Sequence, residues 1–355
     1  MSQSILRESV ALTLYDWMHY MKKRWIFSIA AALFLAGVGL YSYQRGGDLN
    51  ATRSGMLSLM PAESCAVVYA DIADVRSSGF AAELYNWAPR PQIDPDYARF
   101  LHDTGFDYER DLDRVAIAFI KHENATTVFA IADGRFDRKR IETFIAPSGS
   151  RVNRDGHELF FVPSSSGSRK VAVTFLRADR IALTDDADLS ALLAHTATGE
   201  DARQWRERFE RLAGSPIFAV LRQDALTGAA LAAHAPGGLQ SPQLASLLGQ
   251  LLWVTIAGKP EGDRLRLVAE GEYGDDRTAR QLNDVLNGIL LLAQAGLNGP
   301  DTRRELDPQL RETYLEILRG ADVARIDRGE TKSVRVIFDV TPKFLAAAGA
   351  LAPVP

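Results

Sequence analysis

Residues 25–43 read Trp-Ile-Phe-Ser-Ile-Ala-Ala-Ala-Leu-Phe-Leu-Ala-Gly-Val-Gly-Leu-Tyr-Ser-Tyr, nineteen consecutive residues without a charged side chain. As an α-helix this stretch would be roughly 28 Å long, close to the hydrocarbon thickness of a bilayer. A single segment can satisfy its backbone hydrogen-bonding groups there only as a helix. The stretch therefore predicts one transmembrane helix, with the rest of the chain divided between the two sides of a membrane.

The side chains of this predicted anchor are distributed as in membrane helices, with aromatic residues at the two ends and large apolar residues between them. The residues assigned to it are Trp25, Phe27, Leu33, Phe34, Leu35, Leu40, Tyr41 and Tyr43. Three small residues, Ser28, Ala32 and Ala36, fall four apart on one face. Because small residues let membrane helices approach closely, this face is a candidate helix–helix contact.

Positive charge is concentrated on one side of the predicted anchor. Lys22, Lys23 and Arg24 precede it directly, whereas Arg45 is the nearest base after it. Since basic flanks stay in the cytoplasm, we expect the N-terminus inside and the region from about residue 46 onward outside. The prediction is a single-pass protein of the cytoplasmic (inner) membrane whose C-terminal region is periplasmic or extracellular.

Two other interpretations of the stretch fit its sequence less well. A core helix of a soluble domain is seldom uncharged over such a length with aromatic ends and a basic flank. A cleaved signal peptide would have an unusually long basic region of 24 residues, and no clean small-x-small cleavage site follows it. The pattern favours an uncleaved signal-anchor, and cleavage stays open as the alternative.

The composition is typical of a folded protein, and the net charge of the region after the anchor argues against binding to nucleic acid. The 355 residues are 46% hydrophobic and 24% charged. Residues 46–355 carry 36 bases and 43 acids, a net charge of −7, which argues against a nucleic-acid partner. Cys65 is the only cysteine, so an intramolecular disulfide framework is excluded. It lies in the run Cys-Ala-Val-Val-Tyr, which predicts a buried small hydrophobic residue.

The region after the anchor predicts an α+β fold of two duplicated units with largely antiparallel sheets. Strand-like runs of alternating or continuous apolar residues are separated by helix patterns with acidic N-caps. The predicted organisation is 1–24 cytoplasmic segment, 25–43 transmembrane helix, 44–55 tether, 56–198 first extracytoplasmic unit and 199–355 second extracytoplasmic unit.

The duplication is inferred from pattern more than from identity. Residues 217–221 parallel 66–70, and 334–340 parallel 171–176. Gly134 and Phe136 match Gly271 and Tyr273 at a constant offset of 137 residues. Each glycine is expected to end a strand where the chain turns sharply.

One helix in the second unit is expected to follow an N-cap at Asp275 or Asp276. Leu282, Val285, Leu286, Ile289 and Leu290 are spaced as a buried stripe. The apolar segment 285–297 is too short to span a membrane, so we expect a core helix and not a second anchor.

The sequence contains no recognisable catalytic or cofactor-binding pattern. No two of the six histidines lie at metal-ligand spacing on one element, and Walker, Gly-x-Gly-x-x-Gly and Gly-x-Ser-x-Gly patterns are absent. The acidic clusters near Asp71, Asp107, Asp185 and Asp275 are expected to be helix caps or turns. We therefore identify no catalytic residue and expect no metal and no cofactor.

Two functional hypotheses remain from the sequence. The first is an anchored, non-catalytic interaction or scaffold protein, whose partners would be the lipid bilayer and another envelope protein or a second copy of itself. The alternative is an anchored periplasmic enzyme or ligand-binding domain with a cleft between its two units.

Overall fold

The structure is a computed structural model that describes residues 49–87, 95–123, 125–147, 149–163, 170–186, 188–194, 199–225 and 242–345. Within these ranges the fold is α+β with antiparallel strands, so the predicted fold class is confirmed at that level. The predicted transmembrane segment and its basic flank lie outside the described residues. No helix among the described ranges is long and apolar enough to cross a bilayer.

The elements are numbered in chain order. The helices are α1 Leu49–Leu57, α2 Ile72–Arg76, α3 Gly79–Trp87, α4 Pro95–Thr104, α5 Tyr108–Asp111, α6 Arg138–Ile145, α7 Leu189–Ala194, α8 Gly199–Arg211, α9 Pro242–Leu248, α10 Asp276–Leu297, α11 Pro300–Glu305 and α12 Pro308–Gly320. The strands are β1 Ser64–Asp71, β2 Leu112–Lys121, β3 Thr126–Gly134, β4 Ser150–Arg154, β5 His157–Pro163, β6 Lys170–Arg177, β7 Arg180–Thr184, β8 Ile217–Arg222, β9 Trp253–Glu261, β10 Arg264–Tyr273, β11 Asp322–Asp327 and β12 Lys332–Val340.

By their contacts, residues 49–85 and 95–221 form a first compact unit, and residues 222–345 form a second. The sequence placed this boundary between residues 198 and 199, whereas α8 and nearly all of β8 pack with the first unit. Strand β8 pairs antiparallel with β1, with Phe218 opposite Tyr69. A strand that completes a sheet cannot be assigned from local pattern alone, which explains the difference.

The strands of the first unit follow the order β8-β1-β2-β3-β7-β6-β5-β4. On one face of this sheet the central strands are buried, with Val67, Phe129 and Ile131 each 0% exposed, whereas Val152 on the edge strand β4 is 43% exposed. On the other face α6 packs through Ile141 and Ile145, which form a cluster with Phe160 of β5. Cys65 is buried at 5% exposure, as its apolar run predicts.

The structure contains a helix in the second half of the segment that was predicted to be a tether. The sequence interpretation assigned residues 44–55 to a tether, but α1 begins at Leu49 and its Arg53 is buried in the first unit. The guanidinium of Arg53 donates to the carbonyl oxygens of Ala213 (2.7 Å) and Phe209 (3.1 Å). It also lies over the ring of Phe218, 4.6 Å from the centroid. These contacts are long-range, so the sequence pattern around residue 53 did not indicate them.

The strands of the second unit follow the order β9-β10-β12-β11, and each neighbouring pair is antiparallel. Its core contains Leu244, Leu247 and Leu251 from the region of α9, Tyr273 of β10, Ala279 and Leu282 of α10, and Val334 of β12. The Tyr273 hydroxyl donates to the carbonyl of Leu247 at 3.1 Å, so this buried phenol is satisfied. Helix α10 is thus packed on one side of this sheet.

The repeated glycines are explained by close packing. Neither Gly134 nor Gly271 has a positive φ, so the expected sharp turn is not their reason. A Cβ at Gly134 would lie 2.4 Å from the carbonyl oxygen of Asp111, and a Cβ at Gly271 would lie 2.6 Å from a methyl carbon of Leu251. At Gly134 the obstacle is the backbone just before β2, whereas at Gly271 it is the end of the flexible Leu251 side chain just before β9, which can move at low cost.

Candidate interaction surface

Helix α10 begins and packs as its sequence predicts. The Asp275 carboxylate accepts a hydrogen bond from the backbone N–H of Thr278 at 2.8 Å, which identifies Asp275 as the N-cap. Leu282 is 4% exposed, and Val285, Leu286 and Ile289 pack against the same core. The spacing of these residues places them on one face of the helix, against the sheet.

The C-terminal half of α10 departs from the expected core helix. From Val285 to Pro300 the chain has no charged residue, yet Leu291 is 66% exposed and Leu292 is 74% exposed. Leaving a leucine side chain in water forfeits about 1.5–3 kcal/mol relative to burying it. Two adjacent exposed leucines on a helix segment without charged residues make this face a candidate interaction surface.

Small residues surround these leucines on the exposed face of the helix. Gly288, Ala295 and Gly296 lie one turn before or after them, and a methyl group added at Gly288 or Gly296 would meet no atom within 4 Å. The five residues Gly288, Leu291, Leu292, Ala295 and Gly296 are called the α10 surface below. A partner helix could approach its backbone closely because no large side chain other than the leucines projects from it.

The helix half that carries this surface is fixed in place. The Gln294 side-chain amide donates to the carbonyl of Leu318 in α12 at 2.8 Å. Leu315 of α12 is 1% exposed. The leucines are therefore presented by a helix that is packed on its other side, and not by a frayed end.

Charged residues lie at the two ends of the α10 surface. Asp284 is exposed on the same face one turn before Gly288, and its carboxylate accepts from the Asn283 side chain at 3.4 Å. Arg303 and Arg304 of α11 are exposed just beyond the helix C-terminus. Arg280, one turn before Asp284 on the same face, is exposed as well. The N-terminal border of the surface therefore carries charges of both signs, and the C-terminal border carries two positive groups.

The buried carboxylates of the first unit are used in ion pairs. Asp71, Arg114, Asp133 and Arg180 face one another on neighbouring strands β1, β2, β3 and β7. Arg114 contacts Asp71 at 2.8 Å, and Arg180 contacts Asp133 at 2.6 Å with both side chains 6% exposed. We call these four residues the charge ladder. The hydrogen bond to Asp133 raises the pKa of Arg180, so this cation stays charged.

Two further carboxylates are held by arginine pairs. Burial favours the neutral form of Asp111, but hydrogen bonds from Arg110 and Arg135 outweigh it and lower its pKa. Glu270 on β10 is likewise buried, and Arg328 at 2.9 Å and Arg335 at 3.0 Å lower its pKa. A carboxylate held ionised by two guanidiniums is a poor general base near neutral pH.

The acidic clusters are caps and turns, as the sequence predicts. Asp107 caps α5, and its carboxylate accepts from the backbone N–H of Glu109 at 2.9 Å. Asp71 caps α2 through the backbone N–H of Asp74 at 3.0 Å. Asp185 accepts from the backbone N–H of Val128 at 2.8 Å. These backbone contacts account for the short acidic runs.

The histidines in the described ranges lie on separate surface elements. His102 at the end of α4 is hydrogen-bonded to Asp103 at 2.9 Å with its side chain 88% exposed, and His122 is also exposed. His157 begins β5. Among the residues that the structure describes, no group of three or more His, Cys, Asp or Glu side chains could hold a metal ion.

A second surface feature is a shallow groove beside the start of α6. It is lined by Arg135, Arg138 and Lys139 together with Asp137 and Asp179. Arg135 contacts Asp111 at 3.1 Å, and Arg138 contacts Glu142 at 2.5 Å. Because these two guanidiniums are already engaged, the groove is not a ready anion site, and the α10 surface is the stronger candidate.

The predicted anchor residues, the basic flank and the Ser28, Ala32 and Ala36 face all lie outside the described residues. The sequence interpretation did not single out the α10 surface. The signal that could have found it is the uncharged stretch from Val285 to Pro300, which is longer than one buried helix face needs.

No protein-family model matches this chain, and no curated protein matches it. Two solved structures are similar to it in the arrangement of helices and strands. Crystal form I of TP0453 gives a TM-score of 0.45 at 8% identity, covering 84% of this chain and 97% of that one. Crystal form IV of TP0453 gives a TM-score of 0.46 at 8% identity, covering 83% and 96%. Neither structure assigns a role to any residue of this chain.

Proposed function

We propose that this protein is a single-span, membrane-anchored envelope protein that serves as a non-catalytic interaction scaffold. Residues 25–43 hold it in the cytoplasmic membrane with the N-terminus inside, and the α+β region lies outside. The observation that carries the proposal is the α10 surface, where Leu291 and Leu292 are 66% and 74% exposed on a helix that is packed on its other side. An exposed apolar surface of this kind is suited to binding a macromolecule. Its glycine, alanine and leucine residues have no side-chain group that could act as an acid, a base or a nucleophile.

The distribution of charge supports a non-catalytic role. Asp71, Asp111, Asp133 and Glu270 each contact an arginine within hydrogen-bonding distance. Catalytic carboxylates are placed where they can reach a substrate and have a pKa near the working pH. These four instead stabilise the sheet and the segments beside it.

The proposal includes an internal duplication of the outer region. Hairpin β2–β3, helix α6 and hairpin β6–β7 correspond to hairpin β9–β10, helix α10 and hairpin β11–β12. In both sets the last strand pairs with the second strand, β7 with β3 and β12 with β10. This correspondence matches β12 with β7, whereas the sequence had matched residues 334–340 with 171–176 in β6. The β4–β5 hairpin is an addition in the first set.

The two glycines support the same correspondence. Gly134 in β3 abuts Asp111 just before β2, and Gly271 in β10 abuts Leu251 just before β9. Two close approaches at equivalent positions are more specific than a shared strand pattern.

The interaction role is tested in living cells with the full-length chain. A photo-crosslinking residue replaces Leu292, and a matched variant carries it at Val152, which is 43% exposed on β4. We expect a discrete protein adduct from position 292 and none from position 152. The absence of any protein adduct at 292, in protein shown to reside in the membrane, would contradict the scaffold role.

The location is tested separately. A reporter enzyme that is active only outside the cytoplasm is fused after Pro355. We expect activity in the membrane fraction, and a stable but inactive fusion would overturn the proposed orientation.

A further inference from the structure

We propose that residues 346–355 of this chain bind the α10 surface and cover Leu291 and Leu292 until a partner displaces them. The contact lies within one copy of the chain. It rests on the interaction role proposed above and adds a means of regulating it, because the bound segment competes with the partner for the same leucines.

The size of the α10 surface favours an occupant from the same chain. The surface is one face of roughly two and a half helical turns, which is far less than the 1,200–2,000 Å² buried in a typical stable interface between free proteins. A partner protein must therefore add contacts around it. A segment of the same chain needs less contact area, since its effective concentration is on the order of millimolar.

The described chain ends beside the helix that supports the α10 surface. The ring of Phe344 packs edge-on against Tyr314 of α12, with centroids 5.7 Å apart. One turn further along α12, the carbonyl of Leu318 accepts a hydrogen bond from the Gln294 amide of α10 at 2.8 Å. Phe344 and the C-terminal half of α10 therefore contact neighbouring turns of the same helix.

The pairing of the strands agrees with this placement. Val340 at the end of β12 pairs with Leu265 near the start of β10. Arg264, the first residue of β10, contacts Glu316 of α12 at 3.5 Å. Since Glu316 lies between the turns that contact Phe344 and Gln294, residues 346–355 begin at the end of the second unit where the α10 surface lies.

Ten residues are enough to reach the exposed leucines. Packed helices have axes about 8–10 Å apart, so the path from Leu345 across α12 to the exposed face of α10 is roughly 20 Å. An extended segment of this length spans up to about 33–36 Å. The segment can therefore cross α12 and still cover the α10 surface.

The composition of the segment matches that of the surface. Residues 346–355 read Ala-Ala-Ala-Gly-Ala-Leu-Ala-Pro-Val-Pro, without a charged or hydrogen-bonding side chain. They can be buried between the charged borders of the surface without leaving a charge unpaired. Leu351 and Val354 are large enough to pack against the two exposed leucines, and the small residues fit beside Gly288 and Ala295. Pro353 and Pro355 restrict the backbone, which lowers the entropy lost on binding.

Disulfide trapping in purified full-length protein tests the contact. Leu292→Cys is combined with Leu351→Cys, and Val152→Cys with Leu351→Cys is the matched control, because Val152 is 43% exposed. The buried Cys65 is left unchanged. Under mild oxidation of dilute protein we expect a 292–351 disulfide in monomer-sized product and none between 152 and 351. No 292–351 disulfide, or one that forms only between copies, overturns the inference.

Competition with a partner is tested in native membranes with the photo-crosslinking residue at position 292. Deleting residues 346–355 should raise the yield of protein adduct about fivefold, which corresponds to a segment that is bound roughly four-fifths of the time. Leu351→Asp with Val354→Asp should have the same effect, since charged side chains are not buried on an apolar surface. Lys343→Asp is the control, because this exposed residue precedes the segment and should leave the yield unchanged.

Failure of this inference is distinguishable from failure of the scaffold role. A protein adduct at position 292 whose yield is the same with and without residues 346–355 overturns the competition and leaves the scaffold role in place. The absence of a protein adduct in both the intact and the shortened chain overturns the scaffold role, and with it the regulation proposed here, whatever the disulfide shows.

Discussion

The charge ladder of the first unit and the α10 surface of the second depart from the usual distribution of residues in opposite ways. In the ladder, Asp133 and Arg180 are buried at 6% side-chain exposure, where charges are rarely found. On α10, Leu291 and Leu292 are 66% and 74% exposed, where leucines forfeit their burial energy. The ladder compensates for its cost within the chain, since each charge has an opposite neighbour. The α10 surface has no such compensation within the described chain, which is why we assign function to it.

The largest expected effect concerns the ladder. Asp133→Ala leaves the Arg180 guanidinium buried without its principal acceptor, and we expect the free energy of unfolding of the first unit to fall by about 3–5 kcal/mol. Replacing both residues by apolar ones, Asp133→Leu with Arg180→Met, should cost less than half as much because neither position then buries an uncompensated charge. Urea unfolding of the purified full-length protein measures both.

An exposed ion pair provides the control for that experiment. Arg177 and Asp179 contact each other at 3.1 Å with side chains 53% and 65% exposed. Asp179→Ala should change stability by about 0.5 kcal/mol or less. Equal losses for Asp133→Ala and Asp179→Ala would show that burial does not distinguish the two pairs.

The next effect contrasts the two faces of α10. Leu282→Ala removes a side chain that is 4% exposed and should cost about 2–5 kcal/mol. Leu292→Ala should change stability by roughly 0.5 kcal/mol or less when measured at protein concentrations too low for association. A large loss for Leu292→Ala under those conditions would mean that this side chain serves the fold and not a partner.

Sequence pattern predicted those features of α10 that depend on its own residues. The N-cap at Asp275 and the stripe through Leu282, Leu286 and Ile289 follow from local capping chemistry and the helical period. The exposure of Leu291 and Leu292 could not be predicted from the sequence, because apolar residues on all sides of a helix are equally typical of a fully buried helix. Only the three-dimensional packing shows that one side of the helix lacks a neighbour.

The ladder and Arg53 were missed for a related reason. The ladder requires that residues 71, 114, 133 and 180 share one register across four strands, and register is a relation between distant segments. Arg53 contacts residues about 160 positions later in the chain. Antiparallel hairpins such as β2–β3 were predictable because the paired residues are close in sequence.

A third effect concerns close packing in the first unit. Gly134→Ala would place a methyl carbon 2.4 Å from the Asp111 carbonyl oxygen, so the backbone must shift, at an expected cost of about 1–3 kcal/mol. Gly55→Ala on α1 meets nothing within 4 Å and should instead stabilise its helix by about 0.5–1 kcal/mol. Thermal unfolding of the two variants should therefore shift in opposite directions, and a shift in the same direction would contradict the packing explanation.

The smallest effect concerns the ion pairs of the second unit and follows from the direction of a pKa shift. Burial favours neutral Glu270, but hydrogen bonds and charges from Arg328 and Arg335 outweigh it, so its pKa is lower in the folded state. The stabilisation is fully present above the unfolded pKa of about 4.3 and is lost as the pH falls through the lower folded value. Because both arginines are about 30% exposed, solvent screening reduces the contribution to about 1 kcal/mol.

Urea unfolding between pH 7 and pH 3 measures this contribution. Glu270→Gln should be less stable than the unmodified protein at pH 7, and the difference should disappear at the acid end, where the carboxyl is protonated in both states. Glu261→Gln is the matched control, since Glu261 is 41% exposed in its contact with Arg266 and should leave the pH profile unchanged. A difference between Glu270→Gln and the unmodified protein that persists undiminished at pH 3 would show that Glu270 acts through its shape and hydrogen bonds, and that charge burial in the second unit differs in kind from that in the ladder.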